Sequence, residues 1–199
     1  MNIKGLDFSR FEMEVSKASE ALFSACQEAC PDETIYGFAL IPDEDVQSLY
    51  WTADSKNSLE KISRQLHQAS LKHGGDQSLD EIRQIMQFAC DEWAYSEETL
   101  DLPVEFDSDL GLDEIWSTFR SLQLTGAAYD EGFAVVRRQA FEAIAKGLNQ
   151  FRTAVGVDDD FITLVSVRDS ADTDQLLQLA KMCNAPQVFE MLNSVINEE

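Results

Sequence analysis

The chain has 199 residues, 44% of them hydrophobic, and its 37 Asp and Glu against 15 Lys and Arg give a formal net charge of −22. This length is within the range of one compact domain, and the hydrophobic content argues against wholesale disorder. A field of this sign repels nucleic acid and anionic membrane surfaces and speeds association with basic partners. The composition therefore argues against nucleic-acid and membrane binding and favours a basic protein partner.

Hydropathy and cysteine use indicate the compartment. No apolar run approaches the ~20 residues needed to cross a bilayer, and the N-terminus lacks the basic start and apolar region of a signal peptide. The four cysteines fall in segments predicted as helices, and a chain of this size has a core without disulfides. Cys26 and Cys30 could share a metal, but the remaining ligands are missing. We expect a cytoplasmic protein without cofactor or metal.

The first part of the chain predicts a helix and a β-hairpin. Apolar residues at steps of three and four predict an amphipathic helix over 7–30, capped by Asp7. The β-branched and aromatic runs 34–41 and 46–53 flank a short acidic turn. Two such runs joined by a turn predict antiparallel pairing.

The middle of the chain predicts three more helices and an irregular connection. Capping-box spacings place helix starts near Asn57 and at Ser78. The stretch 91–109 has no clean period, so we predict a long connection with a short strand around 103–106. Helical spacing returns over 112–122.

The last part predicts a long helix over 130–151, a strand over 161–167, and two short helices over 172–182 and 186–197. The strand carries apolar residues on both faces, so we expect it to be central in the sheet. This order predicts a single α+β domain over 1–199. Its sheet is small and largely antiparallel, with about three or four strands packed by about six or seven helices.

Catalytic signatures are missing from the sequence. There is no GxGxxG, P-loop, HExxH or GxSxG motif. The segment that begins at Asp107 resembles the start of a calcium loop, but its glycine comes one position early and Thr118 stands where a bidentate Glu belongs. No catalytic residue is predicted. An enzyme site built from scattered carboxylates stays open, because such a pair cannot be chosen without geometry.

One interval stands out by its charge. The segment between Arg83 and Arg120 contains no Lys or Arg but has ten carboxylates interleaved with aromatic residues. Acidic rims around aromatic side chains suit the binding of a cationic protein face. The alternative is that Trp93 and Trp116 belong to the core and the acids coat the outside. We predict a partner-binding surface made of Asp91, Glu92, Trp93, Tyr95, Glu97, Glu98, Asp101, Asp107, Asp109, Asp113 and Glu114.

Four short motifs, in this order, resemble the bacterial domain-of-unknown-function family 4303. They are Tyr36-Gly37-Phe38-Ala39-Leu40, Tyr50-Trp51-Thr52-Ala53-Asp54, Glu92-Trp93-Ala94-Tyr95 and Val165-Ser166-Val167-Arg168-Asp169. The resemblance spans about residues 10 to 195 and supplies no catalytic residues. Members are similar in size and style to immunity proteins, which are small acidic cytoplasmic proteins that plug the active site of a bacterial toxin. The resemblance therefore implies a role in toxin-mediated competition.

Three functions are compatible with these observations. The first, which we expect, is an immunity protein that neutralises a basic toxin domain by occluding its active site, where carboxylates can mimic phosphates. The second is a hydrolase-type enzyme that uses clustered carboxylates. The third is a regulatory or scaffolding module. We expect the protein to be a monomer or a weak dimer.

Overall fold

A computed structural model describes residues 6–104, 110–167 and 172–197. These residues form seven α-helices and a four-stranded mixed sheet, which is the predicted α+β class. The elements are α1 (Ser9–Ala29), β1 (Ile35–Pro42), β2 (Leu49–Ser55), α2 (Lys56–Lys72), α3 (Leu79–Met86), β3 (Tyr95–Ser96), α4 (Leu112–Ser121), α5 (Ala127–Val155), β4 (Ile162–Val165), α6 (Thr173–Cys183) and α7 (Pro186–Asn197).

The predicted hairpin is confirmed. β1 and β2 pair antiparallel from Ile35 opposite Ser55 to Pro42 opposite Leu49. The connecting turn is fixed by the carboxylate of Asp43, which accepts hydrogen bonds from the backbone N–H of Gln47 and the hydroxyl of Ser48 at 2.8 and 2.7 Å. Acidic turn residues often accept such bonds from the backbone that follows them. The hairpin forms the centre of the sheet.

The prediction that the late strand is central is wrong. The strand order is β3-β2-β1-β4, so β4 lies at an edge, where it pairs parallel with β1. All of its residues are nevertheless buried. Asn184, which follows α6, takes the place of a neighbouring strand: its Oδ1 accepts from Thr163 N at 2.8 Å and its Nδ2 donates to Thr163 O at 2.5 Å. The strand is apolar on both faces because its edge is covered by Asn184, and not because it lies in the centre of the sheet.

The predicted starts of two helices differ in outcome. The capping box at Ser78 is confirmed, because its hydroxyl accepts from Glu81 N and the Glu81 carboxylate accepts from Ser78 N, at 3.2 and 2.6 Å. The helix predicted to start near Asn57 begins at Lys56, but Asn57 is not its cap. Ser55, the last residue of β2, caps α2 by accepting from Ser58 N at 3.1 Å. Strand and helix therefore meet without a loop.

Hydrophobic clusters cover both faces of the sheet. One face carries Phe38, Leu40 and Trp51 against α1 and α5, and the other carries Ala39 and Ile41 against a smaller cluster from α2, α7 and β4. Among the helices in the described ranges, none has the length and apolar content to cross a bilayer.

Candidate partner-binding groove

Two cavities flank the β2–β3 side of the sheet. The first, of about 460 Å³, is here named the aromatic cavity; the second, of about 490 Å³, shares Trp51, Glu97 and Glu98 with it. We use the name acidic groove for the residues that line these two adjoining cavities. The aromatic cavity is lined by Ile41, Tyr50, Trp51, Thr52, Asp91, Trp93, Ser96, Glu97 and Glu98, and the second by Trp51 and residues 97–102 and Val104.

The sheet positions one wall of the aromatic cavity. Tyr50 and Thr52 lie two residues apart on β2, and Ile41 of β1 is directly opposite Tyr50. Residues two apart on a strand, and residues directly opposite on its neighbour, share one face of the sheet. These three side chains therefore point to the same side. Tyr50 is 43% exposed, which makes it an accessible aromatic residue of this wall.

A tight turn positions the acids of the groove. β3 pairs with β2 only at Ser96 and Tyr95. The Ser96 N–H then donates to Thr99 Oγ1 at 2.7 Å, and Ser96 O accepts from Leu100 N at 3.0 Å. The chain thus turns away from the sheet at once, and Glu97 lies in this turn. The predicted strand around 103–106 is not present at Pro103 and Val104, which are bends, and residues 105–106 lie outside the described ranges.

The groove carries negative charge without a positive counterpart. Its four acids are Asp91, Glu97, Glu98 and Asp101. In the described part of the chain, no Lys, Arg or His lies within 4.0 Å of these carboxylates. Burial, and then the charge of Glu98, raise the pKa of Glu97 above its ordinary value. A cation entering the groove would relieve this repulsion.

Two buried polar atoms at the aromatic cavity have no hydrogen-bond partner among the described residues. They are Oγ1 of Thr52 and Nε1 of Trp93, in residues that are 8% and 6% exposed. An unsatisfied buried group costs on the order of 1–3 kcal/mol. A ligand that offered a donor to Thr52 and an acceptor to Trp93 would recover part of this cost.

The structure brings five of the predicted binding residues to the groove and separates four others from it. Asp91, Trp93, Glu97, Glu98 and Asp101 line the groove, whereas the following residues do not: Glu92, Tyr95, Asp113 and Glu114. The remaining two, Asp107 and Asp109, lie outside the described residues.

The separated residues belong to other surroundings. Tyr95 packs against the larger hydrophobic cluster, where burial raises its pKa. Glu92 is exposed in a short 3₁₀ turn. Asp113 and Glu114 lie in the first turn of α4, where the Glu114 carboxylate pairs with Arg10 at 2.9 Å. The acidic interval therefore does not form one continuous surface in the described residues.

The two tryptophans are buried, as the core alternative predicts. Trp116 is 6% exposed, and its Nε1 donates to Val46 O at 2.8 Å. Trp93 packs edge-on against Tyr36, with ring centroids 5.9 Å apart, and it also lines the groove. Trp93 thus combines a core contact with a position at the candidate site.

Sequence reasoning missed the contribution of β2 to the site. Tyr50, Trp51 and Thr52 line the groove although they are some forty positions from its acids. The signal that could have found them is the motif Tyr50-Trp51-Thr52-Ala53-Asp54, which is one of the four that carry the family resemblance. Alternation along that strand places Tyr50 and Thr52 on one face.

Other chemistry-bearing groups lie in the interior. In the described residues, no group of three or more His, Cys, Asp or Glu is arranged to hold a metal ion. Burial raises the pKa of Cys26, Cys90 and Cys183 to about 12, so these thiols are poor nucleophiles at neutral pH. Asp54 is 2% exposed and accepts a hydrogen bond from the Tyr36 hydroxyl at 3.1 Å. None of these five residues lines the groove.

The described residues define an α+β protein with four carboxylates gathered at the acidic groove. The chain belongs to the family described as "Domain of unknown function (DUF4303)", whose model matches residues 15–185. Comparisons with curated proteins and with solved structures found no match. The family resemblance in the sequence is thereby confirmed, and it brings no activity with it.

Proposed function

We propose that the protein binds a basic protein partner through the acidic groove, and that this partner is a bacterial toxin domain whose active site it occludes. The observation that carries the proposal is the set of four groove carboxylates without a basic neighbour in the described residues. Isolated like charges at one surface favour a ligand of opposite charge.

The net charge supports the same proposal. At −22, the whole molecule attracts a basic domain over long range, which raises the association rate and makes it fall with ionic strength. A toxin that acts on nucleic acid has a cationic substrate surface. The groove acids would occupy that surface as phosphate mimics, and Tyr50 would add an exposed aromatic contact.

A third cavity, outside the acidic groove, is a weaker candidate. It is about 450 Å³ and lies between the end of α1 and the end of α5, and it is lined by both Lys56 and Asp160. Their side chains pair at 3.9 Å. Because its charges are partly matched, this cavity offers less attraction to a cationic partner than the acidic groove does.

The test is co-purification with the product of the neighbouring gene at low and at high salt. A first variant neutralises the groove through Asp91→Asn, Glu97→Gln, Glu98→Gln and Asp101→Asn. A matched control neutralises two Asp and two Glu that are exposed elsewhere, Glu28→Gln, Asp32→Asn, Asp76→Asn and Glu190→Gln. We expect a salt-sensitive complex that the groove variant loses and the control keeps.

Two outcomes would contradict the proposal. The absence of a complex at both low and high salt would argue against a toxin partner. Equal binding by the two variants would mean that the interface lies outside the groove. A hydrolase that used the same carboxylates would instead turn over a substrate, and the groove variant would then lose turnover.

A further inference from the structure

We propose that the aromatic cavity binds the side chain of one arginine of the partner. This inference rests on the proposed function, and it specifies which group of a basic partner is recognised. The cavity combines aromatic side chains, carboxylates and a buried hydroxyl that has no partner in the described residues. Each of these three features matches one property of a guanidinium group.

The aromatic residues favour a flat, weakly hydrated cation. Tyr50 and Trp93 offer their rings to the cavity, whereas the ring of Trp51 packs on the opposite face of the sheet against α1 and α5. Guanidinium groups stack on aromatic faces and lose less hydration on burial than an ammonium does. A lysine ammonium also makes cation–π contacts, but it has no planar face to stack on a ring and it is more strongly hydrated.

The carboxylates that line the cavity come from two chain segments. Asp91 belongs to the 3₁₀ turn before β3, and Glu97 and Glu98 belong to the turn after it. A guanidinium group has five N–H donors in a fixed fork and can bond more than one carboxylate at once. A lysine ammonium lacks that fork.

Thr52 provides an independent indication of a ligand. Thr52 is 8% exposed and shares a sheet face with Tyr50 at the cavity. Its hydroxyl oxygen has no hydrogen-bond partner in the described residues. A guanidinium N–H can donate to this oxygen. Nε1 of Trp93 needs an acceptor instead, which a backbone carbonyl of the peptide that carries the arginine can supply. Donor and acceptor together point to a peptide rather than to an isolated cation.

A second copy of this chain is a poor occupant. Every copy carries the −22 charge and the same groove acids, so self-association through this surface would bring like charges together. The occupant is therefore a basic segment of another protein.

The experiment uses the full chain and three short probes: acetyl-Gly-Arg-Gly-amide, the same peptide with lysine, and the same peptide with citrulline, the neutral isostere of arginine. Nuclear magnetic resonance follows the indole N–H signal of Trp93 during titration, and the signal of Trp51, whose ring lies on the opposite face of the sheet, serves as an internal reference. We expect the arginine peptide to shift the Trp93 signal and to bind about tenfold more tightly than the citrulline peptide, as loss of one charge-assisted contact implies. The lysine peptide should fall between them.

Variants then test the cavity. Thr52→Val conserves the shape of the side chain and removes the hydroxyl; it should weaken the arginine peptide several-fold without reducing lysine binding. Tyr50→Ala should reduce the preference for arginine over lysine. The control Asp32→Asn changes an exposed acid far from the cavity in sequence and should leave all three titrations unchanged. Thermal unfolding by circular dichroism checks that each variant is folded.

The failures of the two proposals are distinguishable. If the groove variant loses the partner but arginine, lysine and citrulline peptides bind alike, or Thr52→Val and Tyr50→Ala change nothing, the arginine site is overturned while the proposed function stands. If the arginine peptide gives no shift at all, the arginine site is overturned as well. If partner capture is independent of the groove acids, the proposed function fails whatever the peptides do.

Discussion

The indole ring of Trp93 lies directly against the backbone of Gly37. A Cβ atom built at Gly37 would lie 2.7 Å from Cη2 of Trp93 and 3.0 Å from its Cζ2, closer than carbon atoms approach without displacement. Position 37 therefore has to lack a side chain for Trp93 to pack on β1. The same ring lines the aromatic cavity, so this contact connects the core of the sheet to the candidate site.

Gly37→Ala should lower the free energy of unfolding by about 1–3 kcal/mol, because the added methyl group displaces Trp93. Urea denaturation followed by fluorescence measures the change. In a Trp93→Phe background the ring is smaller, so the same substitution should cost less, and the double-mutant cycle should show coupling between the two positions. Equal costs in both backgrounds would mean that the contact does not constrain the glycine.

The buried carboxylate of Asp54 predicts a pH dependence of stability. The residue is 2% exposed, and burial raises its pKa, while hydrogen bonds from Tyr36 OH and Ala94 N, at 3.1 and 3.4 Å, act in the opposite direction. A raised folded-state pKa means that protonation favours the folded state. This contribution is complete below the unfolded-state pKa of about 3.9 and is lost as the pH rises through the folded-state value.

Asp54→Asn removes that titration and keeps the shape of the side chain. The difference in unfolding free energy, wild type minus variant, should therefore rise as the pH falls from 7 towards about 4. Denaturant titrations over this range measure it. Tyr36→Phe removes a hydrogen bond that lowers the pKa of Asp54, so it should move the transition to higher pH. A difference that does not vary with pH would contradict the assignment to Asp54.

Local patterns explain which parts of the fold were predicted. The helical period of α1 and the β-branched, aromatic runs of the hairpin are properties of neighbouring residues, and both elements are present, although the second strand begins at Leu49 rather than at 46. The open edge of β4 is covered by Asn184, about twenty residues further along, so the apolar faces of the strand could not reveal that it lies at an edge. β3 has only two residues, too few for any period to show.

The groove, too, could be predicted only in part. Its acids were predicted because charge is visible in one stretch of sequence, whereas Tyr50 and Thr52 join them only through the pairing of Thr52 with Ser96. The sequence also could not separate the groove acids from Glu114, which pairs with Arg10 of α1 across 104 positions. Which residues line the groove is therefore determined by contacts between distant segments, which the local sequence pattern does not show.

Asn184 predicts how the β4 edge is protected. Asn184→Ala removes the acceptor for Thr163 N and the donor to Thr163 O, which leaves both backbone groups without these bonds at a buried edge. Thr163 O still accepts from Cys183 Sγ at 3.3 Å, so Thr163 N is the group left unsatisfied, and we expect a loss of about 1–3 kcal/mol in unfolding free energy. The amide hydrogen of Thr163 should also exchange faster with solvent.

Denaturation and hydrogen exchange measured by nuclear magnetic resonance check this prediction. Asn149→Ala, on an exposed position of α5, is the matched control and should leave both quantities nearly unchanged. Normal protection of Thr163 in Asn184→Ala would show that another group covers the edge.

Helices α1 and α5 approach each other closely at Gly147. A Cβ atom there would lie 2.6 Å from Cγ1 of Val15 and 2.7 Å from the backbone oxygen of Glu12. Alanine favours a helix interior over glycine by about 1 kcal/mol, so on a free helix Gly147→Ala would be stabilising. Here the clash with a backbone atom can be relieved only by separating the two helices, and we expect a net loss of about 1–3 kcal/mol.

A second substitution identifies the cause of that loss. Val15→Ala removes the contact with Cγ1 but leaves the Glu12 carbonyl in place, so Gly147→Ala should cost less stability in the Val15→Ala background than in the wild type, but still some. Lys146→Ala, on the neighbouring exposed position, should change the unfolding free energy by less than about 0.5 kcal/mol. If Gly147→Ala stabilised the protein, helix propensity would outweigh the contact, and α1 would have to move away from α5 at little cost.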